Sequence, residues 1–197
     1  MQIDWDAPIP MDDGVVLRAD VFRPAGAGKH PVILSYGPYA KGLSFQEGYK
    51  GNWARLTKAA PEVLQGSSNK YQNWELVDPE KWVPDGYACV RVDSRGAGRS
   101  PGHLDVWSPR EAQDLYQCVE WAGTQPWSNG KVGINGISYY AMNQWQVAAL
   151  NPLGQVNFLL GGYDTTLVQA QQGVPDQYKI PMVEGGGAAS AIFTRGN

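Results

Sequence analysis

The sequence predicts an α/β fold with a mostly parallel sheet and an N-terminal β-hairpin. Three short apolar runs, at 32–36, 86–92 and 131–135, are typical of buried strands, and a segment with helical spacing separates the last two. Strands that alternate with helices form parallel sheets, because each crossover returns the chain to the same end of the sheet. With 43% hydrophobic residues among 197, the chain can bury a sizeable core.

The hairpin is predicted over residues 1–24. Asp12, Asp13 and Gly14 form a turn signal, and strand-like sequence flanks them on both sides. After the turn, every second residue from Val15 to Val21 is apolar, a period of two that places one face of a strand on a core.

Residues 37–83 are aromatic and only weakly periodic, so we expect a large excursion from the sheet with one or two short helices. Three glycines and a proline predict a loop over 93–102. A helix is predicted to begin at Ser108, because Pro109 suits the first helical position and Glu111 completes a capping box. It should run to about residue 122, and a second helix should span 138–150.

Composition excludes several classes of partner. A net charge of −3 without a basic run argues against a nucleic-acid or anionic-membrane surface. No apolar run is long enough to span a bilayer, and the first residues lack the pattern of a secretory signal, so a cytoplasmic protein is expected. Cys89 and Cys118 lack metal-site spacing and are expected to be buried thiols. We expect neither a metal nor a cofactor.

Ser138 lies where the strand at 131–135 turns into the next helix. A sharp turn of this kind exposes a serine Oγ in a cleft and aims the following backbone N–H, here that of Tyr139, at a developing oxyanion. Gly136 suits such a crowded turn, whereas Tyr140 stands where the generic pattern has a second glycine. The alternative is an ordinary serine that caps a helix N-terminus.

A base for Ser138 is not evident. The two histidines of the chain, His30 and His103, both precede Ser138, whereas a nucleophile elbow is followed by its acid and then by its histidine. Asp93 ends a predicted strand, but it also precedes Ser138 and opens a turn rich in Gly and Arg, which favours a structural role. His103 is interpreted as a solvated loop side chain.

Residues 1–152 resemble the N-terminal part of the cocaine-esterase-like hydrolases, the family that also contains the Xaa-Pro dipeptidyl peptidases. The matching segments, in the order of the family, are 10–17, 37–41, 93–100, 120–133 and 136–141. The resemblance implies an N-terminal portion of an α/β-hydrolase sheet and a small acyl ester or a proline-containing peptide as substrate. It also implies that Ser138 is the nucleophile, that Tyr139 gives a backbone N–H to the oxyanion hole, and that the Tyr39 hydroxyl completes that hole. Without the resemblance, Tyr39 is equally well interpreted as a packed aromatic side chain of the loop.

The family resemblance implies a triad Asp and His well after the nucleophile, and these are expected to be absent here. The hydrolase portion is therefore predicted to be truncated after the nucleophile helix. Residues 153–197 form a second predicted unit, a short α/β tail that resembles part of a periplasmic branched-chain amino-acid-binding protein. In that resemblance, Thr165 and the region of Gly187 match the loops that hold the ligand carboxylate. The alternative is a strand and a helix that merely extend the sheet.

Three hypotheses follow from these observations. The first is a serine hydrolase of the ester or Xaa-Pro class, weak or inactive by itself because losing the base costs several orders of magnitude in rate. The second is an amino-acid-binding fragment, based on the tail alone. The third is a non-catalytic remnant or fusion, in which an unpaired sheet edge after the nucleophile strand promotes self-association.

Overall fold

The computed structural model describes residues 1–150 and, beyond them, the strands at 156–160 and 182–183. The strands are β1 Gln2–Pro10, β2 Val16–Arg23, β3 His30–Gly37, β4 Ala88–Asp93, β5 Ser128–Ile134, β6 Val156–Leu160 and β7 Met182–Val183. The helices are α1 Phe45–Gly48, α2 Lys50–Ala59, α3 Pro79–Trp82, α4 Pro109–Thr124 and α5 Tyr139–Ala149, with a 3₁₀ turn at Pro61–Leu64.

The described strands form one sheet in the order β1-β2-β4-β3-β5-β6-β7. β1 and β2 form the predicted antiparallel hairpin, and β2 pairs antiparallel with β4. From β4 to β7 all neighbours are parallel. The predicted α/β fold, with a mostly parallel sheet and an N-terminal hairpin, is therefore confirmed.

The core lies against the central strands, which are apolar along most of their length. All six residues of β4 are buried, and Leu34, Leu115 and Val132 have no exposed surface. The face of α4 that contains Leu115, Cys118 and Val119 packs against the sheet, as its helical spacing predicts. Both cysteines are buried free thiols. This packing holds β3, β4 and β5 side by side, so that their carboxyl ends lie next to one another.

The α4 N-terminus forms only half of the predicted capping box. The Ser108 Oγ accepts a hydrogen bond from the Glu111 N–H at 3.1 Å, as expected. The Glu111 carboxylate, however, accepts from the Trp107 N–H at 2.8 Å, one residue before the cap. Glu111 thereby fixes the loop that enters α4.

The excursion over 37–83 contains more helix than expected. Four short helical segments occur where one or two were predicted, and a bridge between Ser44 and Asn73 closes the excursion on itself. Three of these segments are only four residues long, too short for helical periodicity to be read from the sequence. The aromatic side chains instead pack on one another, with Tyr49 stacked on Trp74 at 4.6 Å.

The sheet continues beyond β5, the strand that precedes Ser138. β6 pairs with β5 in parallel, and β7 follows, so β5 is not a sheet edge. The expectation that the sheet stops soon after this strand is therefore corrected to include these two strands. Whether the chain associates with itself stays a prediction. Within the part of the chain that the structure describes, no helix is long and apolar enough to cross a membrane.

Candidate active site

Ser138 lies at the tight turn between β5 and α5. Its backbone has φ 56° and ψ −119°, in a region that residues other than glycine seldom adopt. Its carbonyl accepts hydrogen bonds from the N–H groups of Ala141 and Met142 at 3.0 and 2.9 Å, which start the helix. Strain of about 1–3 kcal/mol at such a residue persists only where the surrounding structure enforces it.

Close packing around Tyr140 enforces the turn. A Cβ added to Gly136 would lie 2.0 Å from the Tyr140 Cβ, and one added to Gly37 would lie 2.5 Å from the Tyr140 ring. Both strand ends therefore approach the first turn of α5 more closely than a side chain permits. This explains why Tyr140 can replace the second glycine of the generic elbow: its ring covers Gly37 at the end of β3.

The Ser138 hydroxyl does not cap the helix, although the residue occupies the N-cap position. Ser138 is half-buried and lines a cleft of about 580 Å³. The other lining residues are mostly apolar or aromatic, with one carboxylate and one guanidinium: Phe45, Asn52, Arg55, Leu56, Trp74, Glu75 and Ile137. The interpretation of Ser138 as a simple capping residue thus lacks the hydrogen bond that would define it.

Tyr139 presents its backbone and its side chain to different surroundings. As the first residue of α5, it has a backbone N–H without an intrahelical acceptor. Its hydroxyl donates to Glu111 Oε1 at 2.5 Å, and its ring lies 4.2 Å from that of Trp107. Burial, and then the Glu111 carboxylate, raise the pKa of Tyr139 above its ordinary value. The side chain is therefore an anchor, whereas the N–H has no partner within the helix.

Tyr39 lies in the loop after β3 and reaches the start of α5. Its ring packs edge-to-face on Tyr139 at 6.0 Å and on Tyr140 at 5.4 Å, measured between centroids. Burial, and then the nearby Glu75 carboxylate, raise the pKa of Tyr39, so its hydroxyl is a protonated donor at neutral pH. The structure thus brings Tyr39 together with Tyr139, whereas 100 residues separate them in the sequence.

Glu75 lies at the candidate site, although the sequence does not predict it there. It lines the Ser138 cleft, and among the described residues its buried Oε2 has no hydrogen-bond partner. Its carbonyl accepts from the Ile137 N–H at 3.2 Å, and its own φ is 62°. Burial raises the pKa of Glu75. No local pattern in the aromatic excursion indicates this placement.

Asp93 holds loops together rather than facing the cleft. Its two carboxylate oxygens accept from the backbone N–H groups of Lys41 and Arg99 at 2.7 and 2.8 Å. A Cβ on Gly98 would lie 2.2 Å from Asp93, so this turn needs a glycine. The expected structural role of Asp93 agrees with these contacts.

Neither histidine lies beside Ser138 in the cleft. The His30 Nδ1 is 3.1 Å from the Gly86 carbonyl, at the opposite end of β3 from Gly37. At about 3.3 Å per residue, the strand separates the two ends by roughly 23 Å. His103 instead lines a smaller cavity of about 190 Å³, together with Tyr36, Arg95 and Asp114.

Two further predictions concern the tail and metal binding. Thr165 and Gly187 lie outside the described residues, so the amino-acid-binding interpretation of the tail stays a prediction. Among the residues that the structure does describe, no cluster of His, Cys, Asp or Glu could hold a metal ion.

Comparison with known families extends this description. The family model for the X-Pro dipeptidyl-peptidases (S15 family) matches residues 13–159. The cocaine esterase of Rhodococcus sp. (strain MB1 Bresler) is 31% identical over 182 residues, which cover 92% of this chain and 25% of that protein. The chain thus spans about a quarter of the length of that relative. This alignment also extends beyond residue 152, so the boundary between residues 152 and 153 stays a prediction.

Solved structures share the same architecture. A CocE/NonD family hydrolase from Staphylococcus aureus superimposes with a TM-score of 0.69 and 36% identity, covering 83% of this chain and 28% of that one. An α/β-hydrolase from Penicillium sp. sh18 has a TM-score of 0.53 at 18% identity, covering 91% of this chain and 53% of that one, and supports the fold alone.

Proposed function

Because this chain belongs to the X-Pro dipeptidyl-peptidase (S15) family, we propose that it carries the nucleophile and the oxyanion-binding part of a serine hydrolase site. The observation that carries the proposal is the geometry of Ser138. Ser138 is held at φ 56° and ψ −119° and lines a cleft, but its side chain makes no capping bond. Helix capping therefore does not explain its strained backbone. A strained turn of this kind is what a nucleophile elbow requires.

In the proposed reaction, the Ser138 Oγ attacks the carbonyl carbon of the substrate. A bond forms between Oγ and that carbon, the carbonyl π electrons move to oxygen, and the serine proton passes to a base. The oxyanion accepts hydrogen bonds from the Tyr139 N–H and the Tyr39 hydroxyl. Collapse of this intermediate expels an alcohol or an amine, which takes up the proton, and leaves an acyl-enzyme. Water then releases the acid.

The cleft supports a substrate with an apolar acyl portion. Phe45, Leu56 and Trp74 line it beside Ser138, and its volume of about 580 Å³ falls within the usual range for small-molecule sites. We propose a small acyl ester or a proline-containing peptide as the substrate class.

Neither histidine is among the described residues that line this cleft with Ser138. His30 lies at the far end of β3 and His103 in another cavity. A site that keeps its oxyanion donors without its base retains a rate of only about 10³–10⁴ over water in the serine proteases. We therefore propose slow acylation of Ser138 by this chain, not rapid turnover.

Covalent labelling tests the proposal. The chain is incubated with a fluorophosphonate, and intact-mass and peptide mass spectrometry identify the modified residue. We expect a single adduct on Ser138 that is lost in Ser138→Ala and kept in Ser68→Ala, a matched change at an exposed serine. Folded protein that stays unlabelled, or is labelled elsewhere with Ser138 untouched, contradicts the proposal.

The substrate class is tested on the same protein. Acyl-enzyme formation is measured by mass spectrometry after mixing with p-nitrophenyl butyrate or with Ala-Pro p-nitroanilide. A Ser138 adduct of butyryl mass supports the ester, and one of dipeptidyl mass supports the peptide. If a folded chain that fluorophosphonate labels forms neither adduct, the proposed substrate class is wrong.

A further inference from the structure

We propose that Lys41 is a positioning residue that fixes the Tyr39 hydroxyl by anchoring its loop to the N-terminal hairpin. This inference rests on the oxyanion role of Tyr39 proposed above. Lys41 follows Tyr39 by two residues and is only 7% exposed, an unusual degree of burial for a lysine in a loop.

The Lys41 ammonium is held by two carboxylates of the hairpin. Its Nζ lies 2.6 Å from Asp6 Oδ1 and 2.7 Å from Asp20 Oδ1, and Asp20 is 1% exposed. Exposed ion pairs contribute little because water screens them, whereas removing one member of a buried pair leaves an uncompensated charge. The contact therefore constrains where the Tyr39 loop can lie.

The backbone of Lys41 is held as firmly as its side chain. Its N–H donates to Asp93 Oδ1 at 2.7 Å, and its carbonyl accepts from Asn73 Nδ2 at 2.6 Å. Between Tyr39 and Lys41, Ala40 has φ 66°, which a residue with a Cβ keeps only under external constraint. Four hydrogen bonds at one residue provide that constraint.

The hairpin is shaped to reach Lys41. The pairing of β1 with β2 shifts register between Asp4 and Ala7, and Asp6 within this bulge has φ 52°. The Asp6 N–H donates to Asp20 Oδ1 at 3.0 Å, the oxygen that also binds Lys41. Bulges on edge strands commonly redirect one side chain, and this one directs the Asp6 carboxylate at the ammonium.

The same anchor reaches the nucleophile turn. Asn73, which binds the Lys41 carbonyl, is two residues before Glu75, whose carbonyl accepts from the Ile137 N–H beside Ser138. Lys41 therefore connects the loop that carries Tyr39 with the loop that contacts the nucleophile turn. Its loss should displace the proposed oxyanion donor while leaving Ser138 on its own strand and helix.

The test compares Lys41→Met, Tyr39→Phe and the double variant. Removal of one oxyanion donor costs about 10²–10³ in rate, so we expect Lys41→Met to slow fluorophosphonate labelling of Ser138 by about 10-fold or more. The double variant should be no slower than Tyr39→Phe alone, because both changes remove the same hydrogen bond. Lys29→Met, at an exposed loop lysine, is the matched control.

Hydrogen–deuterium exchange gives a readout that does not depend on Ser138 chemistry. In Lys41→Met we expect faster exchange over residues 37–41 and unchanged exchange over 132–147. Should Lys41→Met fail to fold, Asp6→Asn replaces it, because the Asp6 side chain is already 32% exposed. For Asp6→Asn we expect the same slowing of labelling and the same faster exchange over 37–41, but smaller in size.

Three results would overturn the inference. The first is a folded Lys41→Met that is labelled at the wild-type rate, and the second is a double variant slowed by the product of the two single effects. The third is unchanged exchange over 37–41 in Lys41→Met. If the wild-type chain itself is not labelled, the proposed function fails, and exchange over 37–41 alone decides whether Lys41 holds the loop.

Discussion

Glu111 shows how one buried side chain organises the proposed oxyanion region. It is 5% exposed, and its two oxygens accept from the Trp107 N–H and the Tyr139 hydroxyl. The bond to Tyr139 anchors the side chain of that residue on Glu111, whereas the Tyr139 N–H lies at the start of α5. The carboxylate therefore orients a neighbouring residue and is not itself assigned to catalysis.

Burial gives Glu111 a predictable effect on stability. It raises the pKa of Glu111 above the ordinary value of 4.5, and the Tyr139 hydrogen bond lowers it by a smaller amount. The folded state then binds this proton more tightly than the unfolded chain. Protonated Glu111 therefore stabilises the folded state fully below pH 4.5, and this stabilisation is lost as the pH rises through the raised pKa of the folded state.

We expect the free energy of unfolding of the wild type, minus that of Glu111→Gln, to fall as the pH rises from about 4 to 7. Urea denaturation of both proteins across this range measures the difference. Glu62→Gln, at an exposed site, is the matched control. If the difference in unfolding free energy stays constant or increases with pH, burial does not disfavour the ionised Glu111 carboxylate.

At the scale of elements, α4 and α5 meet the sheet in different ways. α4 uses a proline at its first position and a serine cap, so local signals define its start. α5 begins at a strained serine without a side-chain cap, and close packing on Gly37 and Gly136 defines its start instead. Helix α4 therefore resembles an ordinary structural helix. Helix α5 instead begins without a side-chain cap, at a serine that lines the cleft.

Loss of the α4 cap should be measurable. Ser108→Ala removes the acceptor of the Glu111 N–H, and we expect a loss of about 1 kcal/mol in the free energy of unfolding. Thr124→Ala, at the exposed end of the same helix, should change stability by less than about 0.5 kcal/mol. Chemical denaturation compares the two, and equal losses would refute the capping role.

At the scale of the whole molecule, the sheet collects the proposed site from distant segments. Ser138 follows β5, the Tyr39 loop follows β3, and Asp93, which binds the Lys41 N–H of that loop, ends β4. The carboxyl ends of these three adjacent strands lie next to one another. Sites in parallel sheets form at these carboxyl ends because the loops after neighbouring strands meet there. The hairpin at the opposite side of β4 completes the arrangement through Lys41.

External imidazole tests the proposal that no histidine in this cleft takes the Ser138 proton. If Ser138 acylation is slow because no base takes its proton, added imidazole should accelerate it in proportion to concentration. The rate of adduct formation on Ser138 by p-nitrophenyl butyrate is followed by mass spectrometry, with Ser138→Ala as the blank. An unchanged rate with added imidazole would indicate that proton removal does not limit acylation.

Much of this arrangement is encoded locally in the sequence. The turn at Asp12–Gly14, the strands, the start of α4 at Ser108 and the turn at Ser138 all depend on residues close together in the sequence. Their bounds agree with the predictions to within a few residues, since local propensity and periodicity act over such distances. The excursion contains more short helices than its sequence predicts, because their stability comes from packing rather than from helical periodicity.

The sequence by itself determined the fold class, the family resemblance and the turn that presents Ser138. Only the tertiary structure decided what surrounds that serine: the Tyr39 ring beside Tyr139, Glu75 in the cleft, and Lys41 between Asp6 and Asp20. Each of these contacts joins residues at least 21 positions apart in the sequence. Such contacts depend on which strands become neighbours, and strand order follows from packing of the whole core, which no local pattern encodes.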